Sequence, residues 1–73
     1  MIVVYKLKEY RIEKGLTIRG LALKSGVSKS EISDIEREVI HPTVYTLCLL
    51  ALALDIDVRQ LFDYKVSDIL DKY

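Results

Sequence analysis

The sequence predicts an all-α fold, on three observations. Apolar residues recur at helical spacing through most of the chain. Cap-forming residues precede those stretches and Gly or Pro follows them. No segment alternates polar and apolar side chains for long enough to define a strand. Val3, Leu7 and Tyr10 stand at i, i+4 and i+7 and predict a first helix, which the polar stretch Arg11 to Lys14 carries to a stop at Gly15. Thr17 is the N-cap candidate of a second helix of about two turns, whose Ile18, Leu21, Ala22 and Ser25 share a face before Gly26 breaks the pattern. Ser28 followed three residues later by Glu31 is a capping-box pattern, in which each side chain can satisfy the other residue's backbone N–H. A third helix therefore begins near Lys29, with Ile32 and Ile35 as its narrow apolar stripe.

Pro42 marks the loop from Glu38 to His41, and Thr43 can cap a fourth helix over Val44 to Leu54. Val44, Leu47, Ala51 and Leu54 line one side of it, but Leu49, Leu50, Leu52 and Ala53 make it apolar nearly all round, as expected of a central helix. Asp57 and Gln60 repeat the capping arrangement for a short fifth helix carrying Val58, Leu61 and Phe62. In the C-terminal extension, residues 63–73, Val66, Ile69, Leu70 and Tyr73 outline a candidate short sixth helix. Its stripe either completes the core or packs on a second subunit.

Seventy-three residues, half of them apolar and 30% charged, make one small domain over 1–73 with the composition of a packed globule. A domain of this size buries only about 60% of its unfolded surface, which favours support by self-association. The single cysteine, Cys48, cannot close an intrachain disulfide, and a cytoplasmic protein fits best. Cys48 itself reads as a core residue on the apolar fourth helix. The longest apolar run, Leu47 to Leu54, is too short for a membrane span, and the N-terminal Met-Ile-Val-Val-Tyr-Lys has its charge on the wrong side for a signal peptide.

Net charge is zero but unevenly spread: residues 1–30 hold seven basic side chains against Glu9 and Glu13, and residues 31–73 carry the compensating −5. His41 and Cys48, each alone of its type, cannot furnish an ordinary zinc site, so no metal or other cofactor is expected. Ser28, Ser30 and Ser33 have no histidine placed to activate them, and phosphate-cradling glycine loops are absent; an enzyme is not expected. Five tyrosines are scattered over separate helices, which suits core edges and interfaces better than a base-stacking platform.

The most informative stretch is 17–37: a two-turn helix, a tight turn at Gly26-Val27, and a capped helix. Ala22 provides a small side chain where the two helices cross, and Gly26 can take the positive φ of the turn. These residues, with Leu7-Lys8-Glu9-Tyr10-Arg11, Lys14-Gly15-Leu16-Thr17, Gly26-Val27-Ser28, Ile32-Ser33, Ile35-Glu36-Arg37, Pro42, Leu47, Ala51 to Leu54 and Leu61-Phe62, resemble the lambda repressor and Cro type of helix-turn-helix proteins, the XRE family. The match runs over about residues 5–62.

The resemblance implies a five-helix lambda repressor-like domain whose third helix enters the major groove of double-stranded DNA. Carried over by position, Lys29, Ser30, Ser33 and Asp34 would face base edges, beside Ser28 at the helix start. Arg19, Arg37 and the backbone N–H groups near Ile18 and Thr43 would meet phosphates. It also implies an internal salt bridge between Arg11 and Glu36, and a homodimer surface from Ile56, Leu61 and Phe62, extended by Ile69, Leu70 and Tyr73. Two departures from the family pattern stand out: Ile18 replaces a common Gln, and Glu38-Val39-Ile40-His41 replaces a Gly turn with basic or polar residues. The expected function is a sequence-specific transcriptional regulator, a repressor, on a pseudo-palindromic operator. The alternative is a protein-interaction or antitoxin-like module of the same fold, in which Val39-Ile40 engages a protein partner.

Overall fold

A computed structural model describes residues 1–66, in the order β1 (Ile2–Tyr5), α1 (Leu7–Glu13), α2 (Ile18–Ser25), α3 (Lys29–Glu36), α4 (Val44–Leu54), a single 3₁₀ turn (Val58–Gln60) and β2 (Phe62–Lys65). Four helices are as the sequence predicts, but the all-α expectation needs correcting at both ends. The first helix begins only at Leu7, because Ile2-Val3-Val4-Tyr5 forms a strand, antiparallel to β2 with Ile2 opposite Lys65 and Tyr5 opposite Phe62. β-branched and aromatic side chains favour that extended pairing over a helical turn. The fifth helix shrinks to one turn. Asp57 and Gln60 do form a reciprocal capping box, but Leu61 then drops into the core and its carbonyl accepts from Lys6 N–H at 2.7 Å, which draws the chain into the sheet. The sixth-helix residues Ile69, Leu70 and Tyr73 lie outside the described residues.

Each of the four helices ends on a left-handed residue or one just beyond its last turn. Gly15 (φ 71°) and Gly26 (φ 81°) do so without a Cβ penalty. Glu38 (φ 61°) and Asp55 (φ 56°) do so despite their side chains. After α1, α3 and α4 the same two bonds recur: Leu16 N–H to Arg11 O with Gly15 N–H to Ile12 O, Val39 to Asp34 with Glu38 to Ile35, and Ile56 to Ala51 with Asp55 to Leu52. These are Schellman endings, which satisfy carbonyls the helix leaves open.

The core is built from Leu7, Leu21, Val27, Ile32, Ile35, Leu61 and the inner face of α4, Leu47, Leu50, Ala51, Ala53 and Leu54. Although α4 is apolar nearly all round, Val44, Tyr45 and Leu52 face solvent, the last 80% exposed. Cys48, expected in the core, is also exposed. The described elements cover only one side of the helix, and these side chains lie on the other.

Polar groups fix how α3 sits on this core. Arg11 on α1 donates from Nε to Glu36 Oε2 at 2.7 Å, from Nη2 to Glu36 Oε1 at 3.0 Å, and from Nη1 to the Leu16 carbonyl at 2.8 Å. The two side chains are only 11% and 7% exposed. The Glu36 hydrogen bonds and charge push the guanidinium above its ordinary value against the opposing effect of burial.

Candidate nucleic-acid interface

The stripe Ile32 and Ile35 turns one side of α3 inward, and at about 100° per residue the opposite side carries Lys29, Ser30, Ser33, Asp34 and Arg37 over an arc of roughly 140°. Lys29 and Ser30 are exposed in the first turn; Ser33 and Asp34 are half-buried; Arg37, the C-cap, is exposed. Ser28 is the N-cap, its Oγ accepting from Glu31 N–H at 3.1 Å, which leaves the hydroxyl hydrogen free to donate elsewhere. Asp34 does not stand alone: Arg37 Nη2 donates to its Oδ1, one turn further on. Lys29 and Arg19 make no ion pair among the described residues.

The helices before and after α3 in the chain also begin on capping side chains. Thr17 caps α2, its Oγ1 accepting from Gly20 N–H at 2.9 Å, and Thr43 caps α4, its Oγ1 accepting from Thr46 N–H at 3.1 Å. Neither first turn contains an acidic residue. The first-turn N–H groups that the caps do not take, and the positive end of each helix dipole, therefore have no acidic side chain of their own first turn beside them. Ile18, where the family pattern has Gln, is half-buried against the core and can contribute only its N–H. Beyond α3, Glu38 and Val39 are exposed, the latter at 61%, while Ile40 packs on the core. His41 is held by Tyr5, whose hydroxyl lies 2.8 Å from His41 Nδ1.

Of the residues expected at a dimer surface, Ile56 and Phe62 are half-buried against the core and Leu61 is fully enclosed by it, leaving Leu61 nothing to offer a partner. Ile69, Leu70 and Tyr73 fall outside the described residues. The sequence reading missed a different apolar surface, a groove of about 320 Å³ between the sheet and the start of α4, walled by Val3, Tyr5, Val44, Phe62 and Tyr64. Its signal was present: Phe62-Asp63-Tyr64-Lys65 alternates aromatic and charged side chains with the period of a strand.

Comparison with known proteins follows the same lines. A sequence family described as Helix-turn-helix matches residues 7–61. The HTH-type transcriptional regulator SinR of Bacillus subtilis is 41% identical over 61 residues, 82% of this chain and 55% of that protein. The immunity repressor protein of Bacillus phage phi105 is 41% identical over 58 residues, 80% of this chain and 40% of that protein. The chain thus spans about half the length, or less, of these curated relatives. The crystal structure of SinR, the master regulator for biofilm formation, in complex with DNA superposes with a TM-score of 0.72 at 40% identity, over 74% of this chain and 87% of that one.

Proposed function

We propose, from the premise that this chain belongs to the helix-turn-helix family of XRE, Cro/C1-type transcription regulators, that it is a cytoplasmic repressor reading a pseudo-palindromic operator as a homodimer. The observation that carries the reading is the outward face of α3. It is polar, and the helices that precede and follow it in the chain, α2 and α4, begin on threonine caps with no acid in their first turns. In this reading α3 enters the major groove. Lys29 donates to guanine O6 and N7, Ser30 and Ser33 donate or accept, and Asp34 accepts from cytosine N4. Arg19, Arg37 and the N–H groups at Ile18 and following Thr43 hold phosphates, which set orientation and give the salt-dependent part of the affinity. Ser28 serves chiefly to start the helix that presents them. Two such helices about 34 Å apart meet successive major grooves on one side of the duplex.

Selection of bound duplexes from a randomised pool, at low and near-physiological salt, tests this. A two-fold-symmetric sequence that survives the higher salt is the expected result. Enrichment of no sequence, or binding lost without trace at the higher salt, refutes sequence-specific readout.

A second reading rests on Val39, an exposed apolar side chain immediately after α3. As a protein-interaction module, the chain would capture a partner through this loop. Val39→Lys would then weaken the partner complex and leave DNA affinity unchanged.

A further inference from the structure

The outer edge of β2 is chemically palindromic. Phe62-Asp63-Tyr64-Lys65-Val66, laid antiparallel against a second copy of itself with Tyr64 opposite Tyr64, sets Phe62 against Val66, Asp63 against Lys65, and the same pairs again on the far side of the axis. Every apolar residue meets an apolar one, and every charge meets its opposite. From this edge we infer that two copies of the chain join through β2, in that register, to make a continuous four-stranded sheet; the inference rests on the proposed dimeric function and assigns its surface.

Three further observations support the pairing. The first is that the edge is open: β2 has β1 on one side and no strand on the other among the described residues, and Asp63, Tyr64, Lys65 and Val66 are all exposed. Uncovered edges are templates for strand addition, and a two-fold dimer uses the same edge twice.

The second is the direction of the backbone groups. The bond from Lys6 N–H to Leu61 O continues the β1–β2 ladder. Hydrogen-bonded and non-hydrogen-bonded pairs alternate in such a ladder, so Asp63 and Lys65 direct their N–H and C=O toward β1, and Tyr64 directs its own outward. Tyr64 N–H accordingly finds no partner on β1 and donates instead to the Asp63 carboxylate at 2.8 Å. In the dimer this N–H bonds the carbonyl of the other copy's Tyr64. The released Asp63 carboxylate then faces the other copy's Lys65, in a non-hydrogen-bonded pair where side chains approach closest.

The third is the distribution of apolar surface. Met1, Ile2, Val4, Val44, Tyr45, Tyr64 and Val66, most of the large apolar side chains exposed among the described residues, lie on or directly beside the two strands or at the start of α4. Pairing at Tyr64 extends the apolar groove on one face of the sheet into the equivalent groove of the second copy. Short strands alone bury less than the roughly 1,200 Å² of a standard stable interface, so association is expected to depend on protein concentration and to be completed on the operator.

Charge exchange tests the register. Sedimentation equilibrium of the full chain is compared for the wild type, Asp63→Lys, Lys65→Glu and an equimolar mixture of the two variants. Each single variant places like charges opposite each other twice per dimer. Each should dimerise about tenfold more weakly than the wild type, while the mixture, in which every facing pair across the axis is again of opposite charge, should recover. Both side chains point away from the groove and the core, and retention of the wild-type circular dichroism spectrum verifies folding. A wild type that stays monomeric at high micromolar concentration, single variants that dimerise like it, or a mixture that fails to recover each overturns the inference. Binding of the monomeric variants to a half-site duplex distinguishes this from failure of the DNA-binding reading, because α3 is untouched by either change.

Discussion

Arg11→Met removes the guanidinium that joins α1 to the end of α3 while keeping most of its aliphatic stem. The wild-type group makes three hydrogen bonds, two to Glu36 and one to the Leu16 carbonyl. With Glu36 only 7% exposed, little water can replace them. The substitution strands a carboxylate and a carbonyl together. Breaking a buried pair from one side costs about 3–5 kcal/mol, a large share of the roughly 5–15 kcal/mol that holds a domain folded. At about 4–8 °C per kcal/mol for a chain of this size, the midpoint of thermal unfolding should fall by more than about 12 °C. The double variant Arg11→Met with Glu36→Leu leaves no orphaned charge and should regain much of the loss. Urea denaturation followed by circular dichroism over the four-member cycle measures the coupling. A single-variant loss below about 1 kcal/mol, or losses that simply add, would refute the argument that the pair is desolvated and mutually dependent.

Lys29→Ala should cost about 1–3 kcal/mol of operator affinity and relax specificity at one base pair, seen by repeating the duplex selection; an equal loss on every sequence would make Lys29 a phosphate contact. Gly26→Ala puts a Cβ on a left-handed residue and should destabilise by about 1–2 kcal/mol in the same urea assay. Glu38→Gly relieves the same strain after α3 and should stabilise by up to about 1 kcal/mol, less the entropy glycine adds to the unfolded chain. Hydrogen bonds from the Arg59 side chain and backbone hold the Asp57 carboxyl down from 3.8 to about 2. A depressed acid stabilises the fold above its unfolded value and ceases to as pH falls through the folded one. The contribution should therefore be intact above about pH 4 and fade toward pH 2, and an NMR titration of Asp57 locates the midpoint.

Thr17, Ser28, Thr43 and Asp57 were legible as caps because a cap is local chemistry: one side-chain oxygen and an N–H two or three residues on. The inward stripe of α3 was legible for a similar reason, since Ile32 and Ile35 define the opposite face whatever they pack against. Glu38 and Asp55 were not, because a scan for glycine finds only the unstrained left-handed stops. Here the Schellman bonds and the packing beyond them impose that conformation on ordinary residues. The strands were hidden by distance, as two four-residue segments about sixty residues apart become a sheet only when they meet. Cys48 is exposed because it lies on the side of α4 that the other described elements do not cover, an arrangement composition does not reveal. The Arg11–Glu36 pair was suggested by resemblance alone, for nothing in the spacing of two residues 25 apart predicts that they touch.

That meeting of the two strands has a kinetic meaning. Ile2 pairs with Lys65 across almost the whole described chain, so the sheet closes the longest loop among the described residues, and the entropy of that closure must be met before the pairing returns anything. The helices and the α2–α3 turn need only near neighbours and come first; the sheet is expected to zip last, onto a core already in place. The edge of β2 as a surface for a second copy is then a property of completed molecules. A half-folded chain lacks the ordered edge that sets this register, so assembly in this register is expected only of chains that have finished folding.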